Sequence, residues 1–151
     1  MKPINIGRAL LGGIVAAVII NLIETVVNGV VLKDDWAAAM QALGKSGEVT
    51  GLAIAIYWIG GLLEGVIGVG LYAGLTGRYG LGSTTAAKAG LVVWALASAI
   101  PNLMWVPSGM IPSRLMTFGV VVDFIAILLG VTMGALLYRE QSAPLAQTAR
   151  A

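Results

Sequence analysis

Three acidic residues stand where acidic residues are costly. Glu24, Glu64 and Asp123 each interrupt a long apolar run, and Asn21, Asn28 and Asn102 lie in the same kind of surroundings. A carboxyl group can take up and release a proton. Together with amide oxygens it can also hold a hard cation such as Na⁺, Ca²⁺ or Mg²⁺. Other carriers of chemistry are missing: the 151 residues include no Cys and no His. That removes thiol nucleophiles, thiolate metal sites and the imidazole base, along with the His ligands of di-iron bundles. No nucleophile–base pair accompanies the carboxylates, so an enzyme is the least expected class.

The surroundings of these residues set the class of protein. Charged residues make up 11% of the chain and hydrophobic residues 58%, against roughly 25% charged in an ordinary soluble domain. The mean hydropathy is +0.93. So few charges cannot cover a water-soluble surface, and the composition predicts an integral membrane protein. Disorder is excluded by the same apolar content. A nucleic-acid binder is excluded because no basic face exists, despite a pI near 9.2.

A membrane helix needs about 20 mostly apolar residues. Four such runs occur, at about 6–32, 51–75, 85–106 and 114–138. The expected fold is an all-α, integral membrane four-helix bundle, a single domain over 1–139, followed by a polar cytoplasmic tail over 140–151. The first run follows Lys2 and Arg8 and so resembles a signal peptide, but it continues past Asn21 to Leu32. That exceeds an apolar core of about 7–15 residues, and the run is read as a retained span.

The connections are punctuated by known helix stops. From Lys33 to Thr50 the chain has room for a short interfacial helix between spans one and two, N-capped by Asp34 or Asp35 and ended at Gly44. Trp36, Met40 and Leu43 share one face of it. This face suits either the membrane interface or a helix packed across the mouth of the bundle. Gly77, Gly80 and Gly82 break the second connection, where Ser83 can cap span three. Gly80-Leu81-Gly82 lacks the strand and lysine of a phosphate loop and reads as a turn. Pro107, Ser108, Gly109 and Pro112 stop the helices at the third.

Basic residues give an orientation. Lys2, Arg8, Arg78, Lys88, Arg139 and Arg150 fall on one side, and Lys33, Lys45 and Arg114 on the other. The bias toward the cytoplasm places both termini inside. Trp36 and Trp105 then belong to the outer aromatic belt, and Tyr72, Tyr79 and Tyr138 to the inner one.

Helical phase gathers the polar groups. Gly13, Ala17, Asn21, Glu24 and Asn28 form one stripe on span one, and Tyr57, Gly61, Glu64, Gly68 and Tyr72 one on span two. Trp94, Ser98, Asn102 and Trp105 align on span three, as do Gly119, Asp123, Ala126, Gly130 and Gly134 on span four. Small and polar faces of this kind pack helix on helix in lipid. Gly61/Gly65 and Gly70/Gly74 are small-xxx-small pairs expected to pack inside the bundle.

Each buried charge costs about 2.5–3.5 kcal/mol on insertion scales, so the carboxylates should face the interior. At ~1.5 Å per residue, Glu24 and Asp123 should share one depth. The expected result is a polar pocket open to the outside and ending near Glu64, above a nearly apolar inner half. Pro101 should free the carbonyl of Ala97 and bend span three beside Asn102. Arg114 is placed either against Asp123 or Glu24 or at the interface. Neutral, hydrogen-bonded carboxyls joining helices are the structural alternative to a site.

Several segments resemble small, uncharacterised four-helix proteins of bacterial inner membranes. They are Ile20-Asn21-Leu22-Ile23-Glu24, Asn28-Gly29-Val30-Val31-Leu32, Asp35-Trp36-Ala37-Ala38-Ala39-Met40, Leu71-Tyr72-Ala73-Gly74, Arg78-Tyr79-Gly80, Ala86-Ala87-Lys88-Ala89-Gly90-Leu91 and Trp94. The resemblance covers most of the four spans. It implies four helices, a bacterial cytoplasmic membrane and no known activity, and it transfers no functional residue. Signatures of small multidrug transporters or fluoride channels are lacking, beyond the acidic residue in span one.

Two functions are expected from these residues. One is binding or moving a cation, proton or small polar ligand at Glu24, Glu64 and Asp123, with Asn21, Asn28 and Asn102. The other is a non-catalytic accessory or scaffolding subunit of a larger membrane complex, with a lipid or quinone niche. Either suits a homo-oligomer or partner membrane subunits in the lipid bilayer, and neither involves nucleic acid.

Overall fold

A computed structural model describes residues 4–138. Lys2, Arg139, Arg150 and the expected tail over 140–151 lie outside the described residues. The fold is all-α. Four stretches are long and apolar enough to cross a membrane: Ile6–Val31, Gly51–Tyr79, Ser83–Ser108 and Ser113–Ala135. The chain is a multi-pass membrane protein by length and composition of its helices.

Local chemistry explains the helix ends. Helix α1 (Ile6–Val26) begins where the Asn5 side chain accepts a hydrogen bond from the Arg8 N–H at 3.1 Å. It ends in a π-helical turn, Val27–Val31. The short α2 (Lys33–Ala42) follows, and α3 (Gly51–Tyr79) starts at Thr50, whose hydroxyl accepts from the Ala53 N–H at 3.2 Å. The third span is α4 (Ser83–Trp94), a π turn (Ala95–Ala99), α5 (Ile100–Trp105) and a 3-10 turn (Val106–Ser108). Helix α6 (Ser113–Ala135) follows Pro112. Gly44 (φ +71°) and Gly80 (φ +77°) end α2 and α3 in backbone conformations that L side chains rarely adopt.

Two expected caps are corrected. Leu32, not Asp34 or Asp35, is the N-cap of α2, and the two aspartates sit in the first turn, where they complement the helix dipole. Gly82, not Ser83, is the N-cap of α4, and no side chain caps that helix.

The spans run up and down around a ring, α1 against α3, α3 against α4, α4 against α6 and α6 against α1, with α3 also touching α6 across the centre. Glycine permits the approach. A Cβ on Gly65 would lie 2.5 Å from the Ala17 nitrogen and 2.6 Å from the Gly13 oxygen, and one on Gly12 would lie 2.5 Å from the Gly134 oxygen. Ile20, Val69, Ile127 and Val131 fill the remaining core. The α1, α3 and α6 stripes therefore pack as helical phase requires, with exceptions at single residues. Tyr57 is 68% exposed and leaves the stripe on α3, because the first turns of that helix, Gly51 to Gly60, have no buried residue. Gly70 and Gly74 have nothing within 4 Å of a built Cβ. Unlike Gly61/Gly65, this pair faces away from the bundle.

Helix α2 lies across the bundle mouth. Ala39 packs with Leu32 and Leu115, and Trp36, Val27 and Ile111 pack against them. Leu43 remains exposed. Of the two readings of this helix, its contacts favour packing across the mouth. Arg114 reaches Asp35 at 3.9 Å and is 73% exposed, so it is not a partner of Asp123 or Glu24.

Candidate functional site

The carboxyl groups of Glu24, from α1, and Asp123, from α6, meet within hydrogen-bonding reach. Their common depth follows from opposite chain directions and equal rise per residue. Both side chains are half-buried. Asn28 Nδ2 donates to Glu24 Oε2 at 2.6 Å, and Trp36 Nε1 donates to Asn28 Oδ1 at 3.0 Å. On the other flank the Ser98 hydroxyl donates to Asp123 Oδ2. One polar chain thus runs Trp36, Asn28, Glu24, Asp123, Ser98 through five separate elements.

The two π turns build this chain. Asn28 belongs to the first and Ser98 to the second. A π turn inserts one residue into the helical register and re-aims the side chains around it, often at functional positions. Pro101 explains the second. It has no N–H to donate, and the helix enters it through wider hydrogen bonding, the Ile100 N–H reaching the Ala95 carbonyl. The expected disturbance beside Asn102 is therefore a π turn. The Asn102 side chain donates to the Ser98 carbonyl at 3.0 Å, holding the backbone that presents Ser98 to Asp123.

Glu64 stands apart from this contact. It is half-buried and close enough to Glu24 and Asp123 for their charges to act on one another, without a hydrogen bond to either. Among the described residues no three His, Cys, Asp or Glu side chains are close enough to hold a metal ion together. The expected triad of carboxylates is thus a contacting pair with a third charge nearby.

Asn21 does something else. It is buried, and its Nδ2 donates to the Trp58 carbonyl of α3 at 3.2 Å. Gly61 makes room, since a Cβ there would lie 2.5 Å from Asn21 Oδ1. Asn21 ties α1 to α3 and does not join the carboxyl pair.

The pair has no compensating cation. Among the described residues no lysine or arginine forms an ion pair with Glu24, Glu64 or Asp123; Arg114 is engaged by Asp35. Glu24 Oε1 is buried without a hydrogen-bond donor. Such a pair accommodates one proton between its oxygens, or a small cation in its place.

The opposite end of the bundle differs from the expected apolar half. Thr76 and Thr85 are buried there and donate to the carbonyls of Ala73 (2.7 Å) and Gly80 (2.9 Å). A cleft of about 220 Å³ opens among α3, α4 and α6, lined in part by Tyr72, Ser83, Thr132 and Tyr138. Tyr72 and Tyr138 are buried, with ring centroids 5.8 Å apart in an edge contact, so neither belongs to a lipid-facing belt. Tyr79 is exposed, with Lys88 4.0 Å over its ring.

Two members of the polar chain were not among the expected site residues. Ser98 carried a signal, lying four residues before Asn102 on the same stripe. Trp36 carried none, because a π turn and a change of helix direction separate it from Asn28. Comparisons with protein-family models, curated proteins and solved structures gave no match.

Proposed function

We propose that the protein binds, and moves across a bacterial inner membrane, a proton or small cation at the Glu24–Asp123 pair. The observation that carries this reading is the contact between two carboxyl groups inside a membrane bundle, with no basic residue paired to them among the described residues. A scaffold needs no such contact, because a neutral polar pair would join α1 to α6 at lower cost. Ser98 and Asn28 hold the two carboxyls by hydrogen bonds, and Glu64 supplies a nearby second acceptor. A proton or bare cation needs no large cavity, which fits a site closed by direct side-chain contact. Both termini lie in the cytoplasm in this reading, and α2 lies across the outer mouth.

The test is flux in liposomes containing the purified protein, under imposed proton, Na⁺ and K⁺ gradients. Wild-type protein dissipates one of these gradients. Glu24→Gln abolishes that flux and leaves assembly in detergent unchanged. Flux equal to wild type in Glu24→Gln, or no flux with any of the three ions, contradicts the reading.

A second reading has one observation in its favour. The Gly70/Gly74 face of α3 is free of contacts within the bundle and has the composition of a helix–helix seam. An accessory subunit of a larger membrane complex would use it against a partner helix. Copurification of stoichiometric partner chains, together with loss of that association in Gly74→Leu, would favour this reading.

A further inference from the structure

The cleft at the end of the bundle remote from the carboxyl pair has a donor set of its own. Helix α4 begins beside it. Gly82 (φ +142°) is the N-cap and no side chain satisfies the first-turn N–H groups of this 12-residue helix. Such N–H groups, with the positive end of the helix dipole, favour anions. A second observation is independent of the helix. Tyr138 is 5% exposed and lines the cleft, and among the described residues its hydroxyl has no hydrogen-bond partner. Tyr72, 3% exposed, accepts from the Gly82 N–H at 3.3 Å, which leaves its own hydroxyl proton free to donate. Ser83 and Thr132 add two hydroxyls to the lining, and among the described residues no carboxylate lines the cleft.

We infer that this cleft binds a phosphate group, either the phosphodiester of an anionic phospholipid or a free phosphate. Phosphate oxygens accept from the α4 N–H groups and from the phenol hydroxyls of Tyr72 and Tyr138. The volume suits a headgroup and not a drug-sized molecule. Leu81, Ala86, Ala135 and Leu136 give the cleft an apolar wall against which a glycerol backbone can lie. Its position at the end of three spans is where lipid headgroups meet a membrane protein. Nothing in this site depends on Glu24 or Asp123.

The experiment is native mass spectrometry of delipidated full-length protein, titrated separately with phosphatidylglycerol and with inorganic phosphate. Wild type, Tyr138→Phe, Thr132→Val and Tyr57→Phe are compared. Tyr138→Phe removes one hydrogen bond to a charged group, which weakens binding about tenfold. Thr132→Val weakens it in the same direction. Tyr57→Phe deletes a phenol hydroxyl at the other end of α3 and binds as wild type. Loss confined to the phosphatidylglycerol series supports a lipid headgroup, and a matching loss with inorganic phosphate supports a soluble anion. Binding of neither probe, or equal binding by wild type, Tyr138→Phe and Thr132→Val, overturns the inference.

Discussion

Glu24 is the residue on which most of the polar chain converges. Asn28 donates to it, Trp36 holds Asn28, and Asp123 faces it. Replacing Trp36 by Phe removes the indole donor and keeps the ring packed near Leu32 and Ala39. The expected outcome is a wild-type fold with Asn28 freed to turn, slowing flux several-fold in liposomes without abolishing it. Asn21 predicts a contrast. Asn21→Leu deletes the tie to the Trp58 carbonyl and lowers thermal stability by about 1 kcal/mol, with flux retained, because this side chain does not touch the carboxyl pair. The six polar residues of the sequence-based site thus separate by role. Their burial in the spans was readable from the cost of polar groups in lipid. Which of them touch was not, since a stripe fixes a face and leaves side-chain reach undetermined. Asn21 and Glu24 lie three residues apart on one stripe and bond in different directions.

Helix-scale features divide in the same way. The four spans and their limits followed from apolar length, and they agree with the described helices to within a few residues except at the C-terminal end of α3, which runs on to Tyr79. The stripes on α1 and α6 followed from 3.6-residue periodicity. The π turns did not, because both look like ordinary helix in sequence and only Pro101 marks one of them. Hydropathy equally fails to separate Gly61/Gly65 from Gly70/Gly74, since lipid and a helix interior are both apolar. The structure makes that difference measurable. Gly65→Ala drives a methyl into the backbone of α1 and should cost about 1–3 kcal/mol, read as a lower midpoint in thermal or denaturant unfolding in detergent. Gly74→Ala meets nothing within 4 Å and should leave the midpoint of the isolated chain unchanged. A midpoint that falls equally in both variants would contradict the packing described for α3.

At the scale of the whole molecule the two ends of the bundle have different characters. One carries α2, the Trp36–Asn28–Glu24–Asp123–Ser98 chain and the exposed first turns of α3. The other carries the Tyr72–Tyr138 cleft. Charge bias supplies the proposed orientation. The sequence contains no Cys, so single cysteines report topology cleanly. Lys45→Cys should react with a membrane-impermeant maleimide added outside intact cells, and Arg78→Cys should react only after permeabilisation. The reverse pattern would invert the proposed orientation while leaving the fold intact.

The most direct test of the central claim is infrared difference spectroscopy of the protein in lipid, recorded while pH or cation concentration is changed. A carboxyl pair that exchanges one proton or cation gives a band in the carboxylic-acid C=O region that appears or disappears with the change. That band should be lost in both Glu24→Gln and Asp123→Asn and persist in Asn21→Leu. Absence of any such band in the wild type, or its persistence in both Glu24→Gln and Asp123→Asn, would contradict a proton- or cation-exchanging pair and leave the contact as a helix joint.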